Sequence, residues 1–271
     1  MWLALRRGII KPQSSGGEGS GLELDATFFA LAVPAVLLAA ISKGGFGSGA
    51  GFMAAPMLAL VLEPAQAIGL MLPLLMLMDV TGLKAYWRGW SWPHARLLMI
   101  GMVPGVVAGA LFFSVVSADG IRLLVGGIAL GFVVFQVARG RGWLRPGRGF
   151  DTPGWGRVWG AVSGFTSFVS HAGGPPASMY LLATDLDKTR YQATTVIVFW
   201  WVNLLKFPLY FLLGMFSLQS AQANLLLAPV AVAGVLLGAR AHRLMSDRLF
   251  FSITYVLLTL TGTKLIWDAL T

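Results

Sequence analysis

The sequence predicts an all-α membrane protein: two inverted repeats of about five helical segments each, with short helices broken at glycine-rich turns. Three observations carry this prediction. Of 271 residues, 56% are hydrophobic and only 11% charged, whereas soluble domains carry about 25% charged residues. Several apolar runs approach the ~20 residues that one membrane crossing needs. The chain also repeats itself, with matching features 124 to 129 positions apart.

Taken in order, residues 1–25 form an expected flexible tail. It is rich in serine and glycine and has no apolar core long enough for a cleavable signal peptide. The first transmembrane repeat, 26–138, contains apolar segments at 26–41, 52–62, 67–83, 97–116 and 121–137. An arginine-, glycine- and proline-rich stretch, 139–156, reads as a basic cytoplasmic linker. The second repeat, 157–271, has segments at 158–170, 176–184, 193–213, 223–239 and 249–267. In each half the first two segments are short and meet at a glycine break.

The first break reads Ser42-Lys43-Gly44-Gly45-Phe46-Gly47-Ser48-Gly49, and the second Ser170-His171-Ala172-Gly173-Gly174. His171 falls where Lys43 fell. Glycine permits sharp turns and close approach of backbone N–H groups, and a helix N-terminus beside a lysine favours an anion. Close packing of helices through small residues is the competing explanation for the glycines. Broken helices at membrane depth are tolerated only where protein or water covers the backbone. In transporters, paired breaks of this kind mark the binding site.

Lysine and arginine counting orients the chain. The linkers 84–96, 139–157, 188–190 and 240–248 hold 13 of the 20 basic residues, so they are expected in the cytoplasm and both termini outside. The net charge of +9 therefore belongs to a membrane surface, and no nucleic-acid partner is expected. The chain has no cysteine, which removes disulfides and thiolate metal sites. Three separated histidines close no metal centre, no Walker loop is present, and no cofactor is expected.

Polar groups in apolar segments are the remaining signal. Asp79, Lys84, Asn203 and Lys206 lie on the third segment of each half, and a charge at mid-bilayer costs roughly 2.5–3.5 kcal/mol. Lys206 stands deep, sixteen residues beyond Arg190, and is expected to face a cavity. Lys84 can snorkel to the interface, Asp79 can pair with a lysine, and Asn203 can cross-link helices. His171 suits proton coupling. The expected substrate site comprises Ser42, Lys43, Gly44, Gly45, Gly47, Ser48, Gly49, Ser170, His171, Gly173, Gly174, Asn203 and Lys206. Asp79 and Lys84 have coupling or structural roles.

These residues resemble the TauE/SafE sulfite exporter family. The resemblance rests on the Ser-Lys-Gly-Gly-Phe-Gly-Ser-Gly break with Pro56 after it, on His171-Ala172-Gly173-Gly174-Pro175-Pro176, and on Leu186-Asp187-Lys188 followed by Val202-Asn203-Leu204-Leu205-Lys206. It covers about residues 26 to 267. It implies movement of small anions, such as sulfite, sulfoacetate and related organosulfur compounds, across the bacterial inner membrane without an ATPase of the chain's own. The paired repeats point to a secondary transporter or exporter working by alternating access. In place of the family's common run of three glycines, this chain has Gly44-Gly45-Phe46 and Gly173-Gly174-Pro175. Two other readings remain open: an intramembrane enzyme with Asp79 and His171 as acid and base, and an anion channel.

Overall fold

Several helix starts fall on small polar residues, whose side chains take up the free N–H groups of a first turn. Ser117 accepts from Gly120 N–H at 3.1 Å and Ser217 from Ser220 N–H at 3.0 Å. Asp187 accepts from the N–H groups of Thr189 and Arg190 at 3.0 and 2.9 Å. These caps begin helices three to five residues earlier than the apolar runs suggested.

The computed structural model describes residues 24–45, 52–143, 151–241 and 247–271, and every regular element among them is helical. The first half contributes α1 (Ala26–Gly45), α2 (Ala54–Leu58), α3 (Pro64–Ala85), α4 (Trp92–Val115) and α5 (Ala118–Gly140). The second contributes α6 (Pro153–Ser170), α7 (Gly174–Leu181), α8 (Lys188–Leu212), α9 (Leu218–Ala241) and α10 (Asp247–Leu270). The expectations for Gly47, Ser48, Gly49, the tail up to residue 23 and linker residues 144–150 lie outside the described residues.

Helix α1 does not stop at Ile41 as expected. It runs 20 residues to Gly45, about 30 Å at ~1.5 Å per residue, and can cross the hydrocarbon by itself. Its partner α2 is a single turn of 5 residues. The reason lies in a neighbour. A Cβ on Gly44 would meet the Val235 carbonyl oxygen at 2.2 Å, and one on Gly45 would meet that of Gly238 at 2.3 Å. The glycines let α9 lie against α1 at a distance no larger residue permits. In total six helices among the described residues (α1, α3, α4, α5, α8 and α9) are long and apolar enough to span a membrane.

Packing repeats with the halves exchanged. The first helix of each half lies on the fourth of the other, giving the pairs α1–α9 and α6–α4. The third helices, α3 and α8, pack together, as do the fifth, α5 and α10. Glycines at intervals of four close the α4–α6 seam. A Cβ on Gly101 or Gly105 would come within 2.1 and 2.0 Å of the carbonyl oxygens of Arg157 and Ala161. Small residues are what let helices associate closely in lipid. Most buried apolar side chains form one core. A second, separate cluster joins Phe52, Met53, Ala129, Phe132, Ala172 and Leu258.

Candidate functional site

The polar residues of the apolar segments converge between α1, α3, α6 and α8. Asp79 on α3 and Lys43 on α1 form an ion pair, Nζ to Oδ1 at 2.6 Å, with the Asp79 side chain fully buried and that of Lys43 14% exposed. This contact is an ion pair, charge against charge. The other oxygen, Oδ2, accepts from Asn203 Nδ2 of α8 at 2.6 Å. Asp79 and Asn203 occupy matching positions of the two halves, and the hydrogen bond joins those halves directly. Lys43 also stands over the Phe199 ring, 5.9 Å from its centroid.

Lys206 lies deeper. It is fully buried, and its three ammonium protons have three partners: the Ser167 carbonyl at 3.1 Å, the Ser167 hydroxyl at 3.1 Å and His171 Nδ1 at 2.8 Å. No carboxylate pairs with it among the described residues. The other nitrogen of His171, Nε2, lies 2.9 Å from the Ile68 carbonyl oxygen. A carbonyl only accepts, so Nε2 carries a proton. The contact between Nδ1 and Lys206 then holds one shared proton, with Nδ1 as the nitrogen able to accept it.

Backbone geometry places His171 here. It ends α6 in the left-handed region, φ 57° and ψ 8°, a position usually taken by glycine. For other residues that conformation costs on the order of 1–2 kcal/mol, and it persists only where surrounding contacts hold it. Here two ring hydrogen bonds do so. The end of α1 is tied down by other means. The Lys43 carbonyl accepts from Gln192 Nε2 and the Gly44 carbonyl from Tyr86 Oη, both at 2.9 Å. Carbonyls that a helix end leaves free are thereby satisfied.

A cavity of about 30 Å³ sits among these groups. It is lined by Lys43, Phe52, Leu75, Ser167, His171, Gly174, Phe199, Asn203 and Lys206. Thus Lys43, His171, Gly174, Asn203 and Lys206, all expected at the site, share one space, with each break contributing to it. The other expected residues stand elsewhere. Gly44 and Gly45 pack against α9, and Gly173 packs against Ser163, Ser167 and Phe199. Ser170 donates to the Thr166 carbonyl of its own helix at 3.1 Å, and Ser42 Oγ is buried without a hydrogen-bond partner among the described residues. Lys84 is exposed at the end of α3; being close to the interface, it extends to water instead of joining the cluster.

Sequence reading missed Ser167, Phe199 and the Ile68 carbonyl. The serine had a signal. Ser163 and Ser167 are four apart on α6 and share one face, and both are buried. The carbonyl had none, since any residue supplies one.

The volume matters to chemistry. A space of about 30 Å³ takes one or two water molecules, each needing at least ~10–15 Å³ of probe volume, so an anion would enter only if side chains or helices shifted. Two lysines, the partly exposed Lys43 and the fully buried Lys206, stand near one carboxylate, Asp79. No group of three or more metal-ligating side chains occurs among the described residues. No curated protein and no solved structure matches the chain. A family model does match it over residues 32–265, and by that match the chain belongs to the sulfite exporter TauE/SafE family.

Proposed function

We propose that the chain exports small oxyanions, with sulfite the leading candidate, through the cavity between Lys43 and Lys206. The coarse part follows from family membership, which makes it a multi-pass membrane anion exporter. The finer part is supported by one observation above all: Lys206 is fully buried with no carboxylate against it among the described residues. A lone buried ammonium is costly in an apolar setting. A bound anion offsets that cost, and so gives the site a preference for negative substrates.

Each ammonium would act differently. Lys43 reaches partly to solvent and is held by Asp79, so an arriving oxyanion competes with that carboxylate for one proton. Lys206 waits beneath it, oriented by Ser167 and His171. When the shared proton leaves the His171–Lys206 pair, the cluster loses one positive charge and its hold on the anion weakens. That step couples release to a proton. Asn203 fixes the Asp79 carboxylate, and Gly174 leaves room for the substrate against α7.

Alternating access, with the two halves rocking about the site, is supported by the packing pattern that recurs when the halves are exchanged. An inverted arrangement with both termini outside, in a bacterial inner membrane, is the topology we assign from the basic linkers. Domain limits follow the same reading: a tail at 1–25, repeats at 26–138 and 157–271, and the linker 139–156 between them.

The test is counterflow of radiolabelled sulfite into proteoliposomes. Lys206→Gln is expected to raise the half-saturating sulfite concentration by about tenfold or more, with insertion and thermal stability retained. Sulfite recovered unchanged separates transport from catalysis. Equal flux in Lys206→Gln and the parent protein overturns the assignment.

A further inference from the structure

Two larger cavities adjoin the buried cations. One, of about 370 Å³, lies among Phe132, Gln136 and Arg139 of α5, Ser178 of α7, Tyr191 of α8 and Tyr255 of α10. The other, of about 310 Å³, follows apolar surfaces of α5, α6 and α7 and shares Phe132, Phe135 and Pro175 with the first. Gly174 lines the inner cavity, while its neighbour Pro175 lines both outer ones. Consecutive residues of α7 thus line the inner space and the outer ones.

The separator is aromatic. Phe52, which lines the inner cavity, meets Phe132 edge to face, with centroids 4.9 Å apart and planes at 86°. Phe132 in turn touches Tyr255 at 6.4 Å. Both phenylalanines are buried within the small apolar cluster that stands apart from the main core. A ring swing there disturbs six buried residues, not the core that holds the helices together.

Charge distinguishes the 370 Å³ cavity. Among the described residues of its lining Arg139 is the one charged residue, and no described carboxylate faces it there. Its planar guanidinium presents N–H donors in a fork that suits an oxyanion. The floor is polar and ordered. Ser178 Oγ donates to the Gly174 carbonyl at 2.8 Å and so accepts from Tyr191 Oη, also at 2.8 Å.

We propose that this outer cavity is a vestibule in which Arg139 collects a small oxyanion, and that Phe52 and Phe132 form the gate between it and the Lys43–Lys206 cavity. The proposal deepens the anion-export reading and rests on it. The outer volume admits an anion with attendant water, whereas the inner one holds only one or two waters. Arg139 begins the linker assigned above to the cytoplasm, so the vestibule stands on the side from which an exporter loads.

The absence of cysteine makes a direct test available. Leu75 lines the inner cavity, and a single Leu75→Cys variant reports access to it. A small anionic methanethiosulfonate and a neutral one of similar size are added to oriented proteoliposomes at the face bearing the Arg139 linker. Both are expected to label slowly while Phe132 is intact. Phe132→Ala is expected to speed both by about tenfold or more. Adding Arg139→Gln is expected to slow the anionic reagent several-fold and leave the neutral one unchanged. If Phe132→Ala yields no folded protein, Phe132→Trp takes its place and is expected to slow labelling further. No change of rate with the Phe132 variant, or an Arg139→Gln effect equal on both reagents, overturns the proposal. Labelling needs no transport. Failure of the gate therefore shows while sulfite counterflow persists, and failure of the export reading shows as lost counterflow with the labelling pattern intact.

Discussion

At the scale of residues, the chain places two cations and one anion where lipid would otherwise be, and the arrangement has a thermodynamic signature. Breaking a buried ion pair by removing one partner costs about 3–5 kcal/mol, because the other charge is left unpaired. Asp79, with Lys43 at 2.6 Å and Asn203 at 2.6 Å, is the member whose loss strands the most. We expect Lys43→Gln to lower the unfolding midpoint of the detergent-solubilised protein, and Lys43→Gln with Asp79→Asn to regain most of the loss. Additive losses in that double-mutant cycle would show that the pair is not coupled. Much of this cluster was legible beforehand, because a charge within an apolar segment is conspicuous whatever the fold. The pairing was not. Asp79 had Lys43, Lys84 and Lys206 open to it in sequence, and only the packing of α1 on α3 settles which one it meets. Ser167 shows the complementary limit: an ordinary serine becomes a ligand of Lys206 only once α6 lies beside α8.

At the scale of elements, glycine turned out to have two uses that a sequence does not separate. Gly44 and Gly45 sit in the break that suggested backbone donors to an anion, yet their α-carbons lie against α9. The spacing of four shared by Gly101, Gly105 and Gly109 could have raised the packing explanation earlier, and Gly156, Gly160 and Gly164 repeat it on α6. Contrasting substitutions measure the difference. Gly105→Val sets a branched side chain against a carbonyl that would already be 2.0 Å from a Cβ, and is expected to abolish monodisperse protein. Gly127→Ala has nothing within 4 Å and is expected to leave the melting temperature unchanged or slightly raised, since alanine favours helix over glycine by up to about 1 kcal/mol. Size-exclusion profiles and melting curves of both variants check this; equal behaviour would contradict the seam. Helix ends were the least legible feature of the fold, because Ser117, Asp187 and Ser217 begin helices before hydrophobicity begins.

At the scale of the whole molecule, neither half has a complete set of neighbours of its own. The α1 surface is covered by α9 and that of α6 by α4, so each half presents glycine-lined faces that only the other half fits. Residues 1–143 or 151–271 expressed alone are expected to aggregate or be degraded, while co-expression of the two is expected to give a purifiable complex. A stable, monodisperse half on its own would sink the prediction. The number of segments and their all-helical nature were readable from composition and apolar length, properties that depend on no partner. Which helix lies against which was not, because the choice is made by surface shape across more than a hundred residues of chain.

The hydrogen bond between Asp79 and Asn203 also bears on how such a molecule can arise. Two identical chains facing each other would bring the same side chain to both sides of that contact. Two aspartates there would set carboxylates against one another, and two asparagines would leave Lys43 without its counter-charge. An assembly of identical subunits can therefore have either exact symmetry or an Asp–Asn hydrogen bond at this point, but not both. Joining the two copies in a single polypeptide removes the conflict, because each side can then mutate alone. On this view the fusion came before the present charge arrangement, and a reconstructed ancestor carrying the same residue at both positions would lack it.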